Sequence, residues 1–468
     1  MFLNKKIVLF VGAFLFLGMN AVLFAENSVI DSAAKYLNAN VKLTGYGSYE
    51  FGEVVKGNNG VGQPSTSYTS GPIDHYWSHQ VYAGLGFSAA FSSQTQVVAG
   101  VEGKMWNPYP NSETPGRQSV EQAYSLWLTG VYGTYSPFGE TGNSWLELTV
   151  GYFPYKYNPD VRNLGEYLFR SLTYPGLIFN SFDFPAIRLL GFMAHANIFD
   201  DFFSKIDSKL KTDVLITEED QDWPYGDISI SWLGSLNIKK IIEFGAGIDW
   251  ANCISVNSFN TSPKVTGIIG NGNDYVTGQD ALGNTTYDTT QFYTFQAVKP
   301  MARVNIDPKP LFGDFGQAFG SEDLKLYGEL CIIGLQDYPY YYSNLSERMP
   351  IMAGLNFPTF KLFDVLNIEV EHYSSRLPTS NLNQVQPINP EYCIPVPAGG
   401  VIYGSVPSVL QWKWSVYVKK TLMPRVSAIL ECAHDHYRMN YPDGNPVFSE
   451  SLPDQGDWRW VFKIVGNL

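Results

Sequence analysis

The chain has 468 residues, a formal net charge of −13, and a composition that combines 15% aromatic residues with only 16% charged residues. The negative charge argues against nucleic acid as a partner and against a basic membrane-surface helix. The four cysteines show no metal-ligand spacing, so we expect no metal site and no cofactor. Three disulfide connectivities are possible, but we expect mostly free thiols because Cys331 and Cys432 fall within separate strands. The cysteines are Cys253, Cys331, Cys393 and Cys432.

The chain begins with Lys5 and Lys6, followed by an almost unbroken apolar run from Ile7 to Phe24. This pattern is typical of a secretory signal peptide, and we expect residues 1–25 to be cleaved off after Ala25. The alternative is a membrane anchor, which the lack of a positive flank after the run disfavours. Because no later stretch approaches ~18 consecutive apolar residues, we expect no transmembrane helix in the single domain 26–468.

Many later segments alternate between apolar and polar residues, the period-two pattern of strands with one apolar face. In residues 366–371, for example, Leu366, Ile368 and Val370 alternate with Asn367, Glu369 and Glu371. The apolar face would pack on a core in a soluble protein and would contact lipid in a barrel. The sequence predicts about sixteen strands, near 41–52, 76–91, 95–106, 120–134, 145–153, 187–198, 207–217, 227–238, 241–254, 290–305, 323–335, 349–357, 364–375, 407–419, 425–437 and 457–468.

Short and long connections alternate between these strands, with 307–322 as a medium exception among the short ones. The other short connections are 92–94, 136–144, 199–206, 239–240, 359–363 and 420–424. The intervening connections 53–75, 107–119, 154–186, 255–289, 376–406 and 438–456 are long, and 218–226 and 336–348 are shorter. Transmembrane barrels have short periplasmic turns and long outer loops. The predicted fold is therefore all-β: a transmembrane, antiparallel, up-and-down β-barrel of about sixteen strands, between roughly 14 and 18.

The third long connection, 154–186, carries a short helix signal. Asn158 can cap a helix, and Pro159 suits the first helical position. The negative charge of Asp160 would stabilise the positive N-terminal end of the helix dipole. The pattern places Val161, Leu164, Leu168 and Leu172 on one face and an i,i+4 ladder of Arg162, Glu166 and Arg170 on another. Residues 173–176, Thr-Tyr-Pro-Gly, would end this helix.

Three features together resemble the porin superfamily of Gram-negative outer membranes: the loop alternation, the third long loop with its helix signal, and the alternating terminal strand Trp458–Leu468. The resemblance covers the mature chain as architecture, and the chain ends in Leu468 where porins usually end in Phe. It implies that the third loop folds into the lumen and narrows a pore. The partners it implies are the lipid bilayer with its outer-membrane lipids, the barrel-assembly machinery and small hydrophilic solutes, and it leaves a homo-oligomer open.

The charges of the third loop are the candidate constriction residues, because opposed charges across a narrow lumen select solutes. They are Lys156, Asp160, Arg162, Glu166 and Arg170. The alternative is that Arg162, Glu166 and Arg170 only pair along an exposed helix. Charged residues on the strands are predicted to line the lumen wall; the alternative is that they only form a solvated polar face. They are Glu102, Glu147, Lys209, Lys211, Glu369, Glu371, Lys413, Arg459 and Lys463.

Two other patterns have ordinary explanations. Aromatic residues crowd the predicted strand ends, as a girdle at the membrane interfaces would, although a sugar-binding track is the alternative. His434 and His436 flank Asp435 and could share a metal, but no third ligand is evident, and we interpret them as polar residues at the outer rim. Because no catalytic order of Ser, His and Asp is evident, we expect no enzymatic activity.

The sequence therefore favours a porin-like channel for passive diffusion of small hydrophilic solutes, narrowed by loop 154–186. One alternative is a non-conducting outer-membrane barrel whose long loops bind a surface glycan or a cell. An alternative of another class is a soluble, secreted all-β protein that acts on carbohydrate.

Overall fold

A computed structural model of the protein describes residues 40–57, 73–106, 123–169, 187–198, 208–218, 228–254, 297–335, 345–375, 409–437, 451–452 and 454–468, together with short segments between 264 and 293. The predicted signal peptide, Arg170, Leu172 and Cys393 lie outside these residues. Cys253, Cys331 and Cys432 are free thiols, as expected.

Sixteen strands pair with their neighbours in chain order and close into one barrel, as predicted. They are β1 (Asn40–Lys56), β2 (Tyr76–Ala90), β3 (Thr95–Trp106), β4 (Ala123–Tyr135), β5 (Leu146–Tyr155), β6 (Ile187–Ile198), β7 (Ser208–Glu218), β8 (Ile228–Ile238), β9 (Ile242–Ile254), β14 (Ala297–Ile306), β15 (Leu326–Cys331), β16 (Ile351–Asn356), β17 (Val365–Ser375), β18 (Val409–Met423), β19 (Val426–His434) and β20 (Trp458–Asn467). All sixteen predicted segments overlap these strands, and every described barrel pairing is antiparallel.

The connection between β9 and β14 contains two small sheets. In one, β10 (Lys264–Val265) pairs with β13 (Phe292–Tyr293), and in the other β11 (Tyr275–Gln279) pairs with β12 (Thr285–Asp288). The described helical segments are 3-10 helices at Tyr167–Phe169, Lys309–Ala318 and Leu345–Arg348. Among the residues that can be described, no helix has the length and apolar character needed to cross a membrane.

Because successive strands run in opposite directions, the connections divide between the two ends of the barrel. We call one end, which carries 57–75, 156–186 and 376–408, the long-loop end. The other end carries the connections 91–94, 239–241, 357–364 and 424–425 and is called the short-turn end. The medium connection 307–325 belongs to the short-turn end as well.

The first and last strands close the barrel, as their alternating patterns predicted. The register runs from Tyr46 opposite Asn467 to Lys56 opposite Trp458, with an irregularity after Val54. On the outward face of this seam, the ring of Phe51 lies 5.3 Å from Trp460 and 6.0 Å from Phe462, centroid to centroid. Closure pairs the two strand edges that would otherwise expose backbone N–H and C=O groups.

The two faces of the barrel wall differ in chemistry. Along β17, Asn367, Glu369 and Glu371 point inward and are buried, whereas Val370 points outward and is exposed. On β4, the outward residues Tyr124 and Leu126 are 83% and 75% exposed. Apolar side chains therefore cover the outside of the barrel and polar side chains much of its inside, the reverse of a soluble β-sandwich.

One side of the interior departs from the expected water-filled lumen. Apolar side chains of residues 156–169 pack there against inward-facing residues of the strands from β5 to β16 and form a buried core. Leu164 and Leu168 from this segment join Leu215 of β7, Met301 of β14 and Met352 of β16. Part of the barrel interior is thus filled by an apolar core instead of water.

Candidate functional site

Residues 156–169, which we call the inner loop, leave β5 at the long-loop end and lie inside the barrel. The predicted helix is wrong for the described residues, because only Tyr167–Phe169 forms a 3-10 turn. Gly165 and Glu166 have left-handed φ values of 91° and 58°, which interrupt any right-handed helix. The backbone N–H groups that a helix would use are donated to carboxylates of the barrel wall instead.

Glu369 on β17 accepts hydrogen bonds from three successive backbone N–H groups of the inner loop. The donor–acceptor distances are 2.5 Å from Arg162, 2.8 Å from Asn163 and 2.8 Å from Leu164. The same carboxylate accepts a bond of 2.5 Å from the Tyr327 hydroxyl. A buried carboxylate with this many donors is compensated for its loss of hydration, so Glu369 fixes the tip of the inner loop to the wall.

Glu329 on β15 does the same for the other arm of the inner loop. It accepts the N–H groups of Glu166 at 3.1 Å and Tyr167 at 2.8 Å, and the amide nitrogen of Asn158 at 3.2 Å. The Tyr157 hydroxyl donates to its second oxygen. Burial raises the pKa of Tyr157 far above its usual value, and the neighbouring charge of Glu329 raises it further, so the hydroxyl remains a donor.

Glu166 closes the base of the inner loop on itself. Its carboxylate lies 2.5 Å from the N–H group of Asn158 and 3.4 Å from that of Tyr157. Burial, and then the charge of Glu329, raises the pKa of Glu166 to about 8. Burial also lowers the pKa of Lys156 to about 8, against the attraction of Glu166, and Lys156 Nζ donates to the Val161 carbonyl at 2.6 Å.

Asp160 and Arg162 reach residues close to the short-turn end. Asp160 accepts hydrogen bonds of 2.9 Å from Lys325 Nζ and 2.6 Å from Asn305 Nδ2. Arg162 Nη2 lies 2.7 Å from Glu322 Oε2, and Lys325 also pairs with Glu322 at 3.0 Å. The inner loop therefore extends from the long-loop end to the level of a short-turn connection.

A second cluster joins the inner loop to β18, β19 and β20. Asn163 Nδ2 donates to Glu431 at 2.9 Å and to Asp435 at 2.8 Å. Arg459 contacts both Asp435 oxygens, at 3.1 and 2.5 Å. Although burial alone would raise the pKa of Asp435, this guanidinium holds it well below the usual range.

His434, Asp435 and His436, which we interpreted as polar residues at the outer rim, lie where β19 ends at the long-loop end, and all three are buried. His436 Nε2 lies 2.8 Å from Glu371, whose other oxygen accepts a bond of 2.7 Å from Tyr167 of the inner loop. In the part of the chain that the structure describes, no three His, Cys, Asp or Glu side chains are placed to hold a metal ion. Asp435 and His436 thus belong to the network between the inner loop and the wall.

The opposite side of the interior, which we call the polar wall, is the inward face of β20, β1, β2, β3 and β4. Lys104 of β3 and Lys463 of β20 both lie over the Tyr82 ring, with Nζ 5.3 and 5.4 Å from its centroid. Carboxylates stand beside them: Gln80 Nε2 donates to Glu50 at 3.1 Å, and Trp127 Nε1 donates to Glu102 at 3.0 Å. The polar wall therefore combines side chains of both charge signs with aromatic rings.

The predicted wall residues lie on inward strand faces, but only some approach the inner loop. Glu369 and Glu371 bond it directly, while Lys413 and Arg459 bond Asp435 beside it. Glu102 belongs to the polar wall, and Glu147 accepts bonds from Ser136 and Gly142 near the short-turn end. Lys209 and Lys211 are exposed and share the strand face of Asp213.

Sequence reasoning did not identify Glu329, Tyr157 and Asn163 as residues that hold the inner loop, and it gave Asn158 only the role of a helix cap. In β15, Leu326, Gly328 and Leu330 fall on one face and Tyr327 and Glu329 on the other. Strict alternation in this strand would therefore have placed Glu329 inside the barrel together with Tyr327. The polar residues of the inner loop gave no such signal, because they follow no strand or helix period in the structure.

Neither family models nor curated proteins give a match to the sequence. Among solved structures, OmpF of Salmonella typhi in complex with daunomycin is 11% identical, with 92% of this chain and 99% of that chain covered and a TM-score of 0.44. OprB of Pseudomonas putida at high pH is 8% identical, with 94% of this chain and 96% of that chain covered and a TM-score of 0.48. A mutant Rh. blastica porin is 7% identical, with 92% of this chain and 100% of that chain covered and a TM-score of 0.38. The closed order of sixteen antiparallel strands is the barrel architecture that the sequence predicted.

Proposed function

We propose that the protein is an outer-membrane channel through which small hydrophilic solutes diffuse passively, without enzymatic activity. The observation that carries this proposal is a closed barrel with apolar residues outside, polar residues inside and a chain segment bonded within it. A closed barrel satisfies every strand edge in lipid, and a polar interior allows water and solutes to enter.

The path that we propose runs between the inner loop and the polar wall. The inner loop packs on the strands from β5 to β16 and bonds residues of β17, β18 and β19, so the path would lie against the polar wall. Lys104 and Lys463 lie on the other side, on the polar wall that also holds the buried carboxylates of Glu50 and Glu102. Charges of both signs close to a narrow path would orient dipolar solutes and tune ion preference.

In this proposal the inner loop narrows the path, and the predicted constriction charges act mainly by holding it in place. Lys156, Asp160, Arg162 and Glu166 all bond the loop itself or the wall. Their side chains are therefore oriented by fixed partners. The contribution of Arg170 stays a prediction, because this residue lies outside the described part of the chain.

The apolar core inside the barrel favours a second candidate, a non-conducting barrel whose long loops bind a glycan or a cell. An interior filled with packed side chains conducts only where a continuous polar path remains. The two candidates share the fold and differ in conductance.

Planar-bilayer recording of the purified, detergent-extracted protein tests the proposal. We expect discrete conductance steps, and larger steps from a variant that lacks residues 159–169. We expect Lys104→Glu to shift ion preference toward cations, and Lys239→Glu, at a turn outside the lumen, to leave it unchanged. A folded wild-type barrel without conductance would overturn the channel and support the non-conducting barrel.

A further inference from the structure

Basic residues occupy three tight turns of the short-turn end in a backbone conformation that does not favour them. Lys239 and Lys240 have φ values of 52° and 58°, Lys361 of 70° and Arg425 of 70°. Glycine or asparagine adopts this left-handed region at lower cost and is preferred in such turns. Because basic residues occupy this conformation in three separate turns, we infer that their positive charge has a function. We call Lys239, Lys240, Lys361 and Arg425 the basic rim.

Large apolar residues lie beside the basic rim and are exposed. In the 3-10 segment Lys309–Ala318, no residue is buried, and Leu311, Phe312 and Phe315 are among its exposed members. Phe360 and Leu362 of the neighbouring turn are exposed as well. Exposed apolar groups of this size usually contact another molecule or a membrane.

The two connections form one fixed surface. Asp323 accepts hydrogen bonds from Thr359 Oγ1 at 3.1 Å and from the Phe360 N–H at 3.0 Å, which ties 307–325 to 357–364. The rings of Phe319 and Phe360 stack with centroids 5.2 Å apart. Lys361 Nζ also donates to the Gln317 carbonyl at 2.8 Å. The apolar residues are therefore held beside the basic rim in a defined arrangement.

We propose that this surface binds the headgroups of anionic phospholipids in the membrane leaflet at the short-turn end. In transmembrane barrels this end faces the periplasm. Lysine and arginine near a membrane surface attract anionic lipids, and adjacent apolar side chains enter the boundary between headgroups and acyl chains.

Charge complementarity favours this occupant over others. The whole chain is acidic, with a net charge of −13, whereas each of the three tight turns that form the basic rim carries a basic residue. Of the acids nearby, Asp323 is buried, Asp307 pairs with Lys309 at 3.0 Å, and Asp364 accepts the Thr421 N–H at 2.6 Å. Asp314 is the exposed exception.

Native mass spectrometry of the full protein released from mixed micelles tests the proposal. The probe is phosphatidylglycerol offered with an equal amount of phosphatidylcholine. The variant is Lys239→Asn, Lys240→Gly, Lys361→Asn and Arg425→Gly together, which places turn-forming residues at these positions and preserves folding. The matched control is Lys56→Gln, which removes an exposed lysine at the long-loop end.

We expect the wild type to retain phosphatidylglycerol over phosphatidylcholine, and the four-residue variant to lose at least tenfold of that preference. The control should keep it. A second variant, Phe312→Ser with Phe315→Ser, should reduce the retention of both lipids and leave the preference for the anionic one.

Three outcomes would overturn the proposal. One is a wild type without preference between the two lipids. Another is a four-residue variant that keeps its preference while it remains folded. The third is a loss of subunit association in that variant with lipid retention unchanged, which would assign the surface to a second copy of the chain.

Discussion

Arg162 Nη2 lies 2.7 Å from Glu322 Oε2, although the two residues belong to connections at opposite ends of the barrel. Arg162 is in the inner loop, which starts at the long-loop end, and Glu322 is in the connection before β15 at the short-turn end. The inner loop thus crosses much of the depth of the barrel and is bonded along its course by Glu329, Glu369 and Asp435.

This bonding indicates that the inner loop is a fixed part of the interior. Its carboxylate partners are buried, and each accepts several hydrogen bonds, so removing one leaves backbone donors without an acceptor. A gate that opens freely would need partners that are easily exchanged with water. The first three predictions therefore test how firmly the loop is held and how the wall that holds it is built.

Glu369→Gln should loosen the tip of the inner loop without unfolding the barrel. The amide of the variant has one acceptor oxygen, whereas the donors around Glu369 now share the two oxygens of its carboxylate. Hydrogen bonds to a charged acceptor contribute on the order of 2 kcal/mol each to stability. We expect faster hydrogen exchange at the amides of 162–164, measured by mass spectrometry. Val370→Ala, which changes the outward neighbour, is the control. Unchanged exchange at 162–164 would show that Glu369 does not hold the loop.

The pH dependence of stability should reflect Glu166. Its pKa rises from an ordinary 4.5 to about 8 in the folded protein, so the folded state binds a proton more tightly than the unfolded chain. The corresponding stabilisation is present below pH 4.5 and is lost as the pH rises toward 8. We expect urea unfolding to show a smaller decrease in stability between pH 5 and pH 8.5 for Glu166→Gln than for the wild type. Equal decreases would exclude this contribution.

Gly151 and Gly191 stand directly opposite each other on β5 and β6, and both have positive φ values, 124° and 155°. A Cβ atom at Gly151 would overlap the carbonyl oxygen of Val131 on β4. Gly151→Ala should therefore lower the free energy of unfolding by about 1–3 kcal/mol. At Gly133 the nearest atom to a Cβ would be 3.9 Å away, so Gly133→Ala is a matched control with a small expected effect. Similar losses in both variants would exclude local crowding as the cause.

The outward face of the closing strand should tolerate no charge. Phe462 lies outward against Phe51 across the seam, and Lys463 lies inward opposite Glu50. Phe462→Asp places a charge toward lipid, at a cost of roughly 2–4 kcal/mol if it behaves like a basic residue and somewhat less for an acid. We expect it to lower the yield of heat-modifiable, folded barrel on gels, and Lys463→Gln to fold normally. Equal yields would contradict the assignment of the two faces.

The strands and their closure were predictable because their physical cause is local. In β17 and β20 apolar and polar residues alternate over several positions, and this period assigns each residue to a face before any partner is known. Closure of β20 on β1 follows from the same pattern, since a strand with unpaired edges cannot remain in lipid. The alternation of short and long connections then predicts which end of the barrel carries the long loops, whereas the entry of loop 154–186 into the interior was implied only by the resemblance to porins.

The conformation of the inner loop was decided only by tertiary structure. Locally, residues 158–172 fit a helix with Val161, Leu164 and Leu168 on one face, and all three are indeed buried. In the folded chain the N–H groups that would build this helix meet the carboxylates of Glu329 and Glu369, which lie more than a hundred residues away in sequence. Charged acceptors fixed on a rigid wall form stronger bonds to these donors than the carbonyls of a short helix do. No period within the loop records their position, so the loop's path, its ion pairs and the core behind it depend on the closed barrel around it.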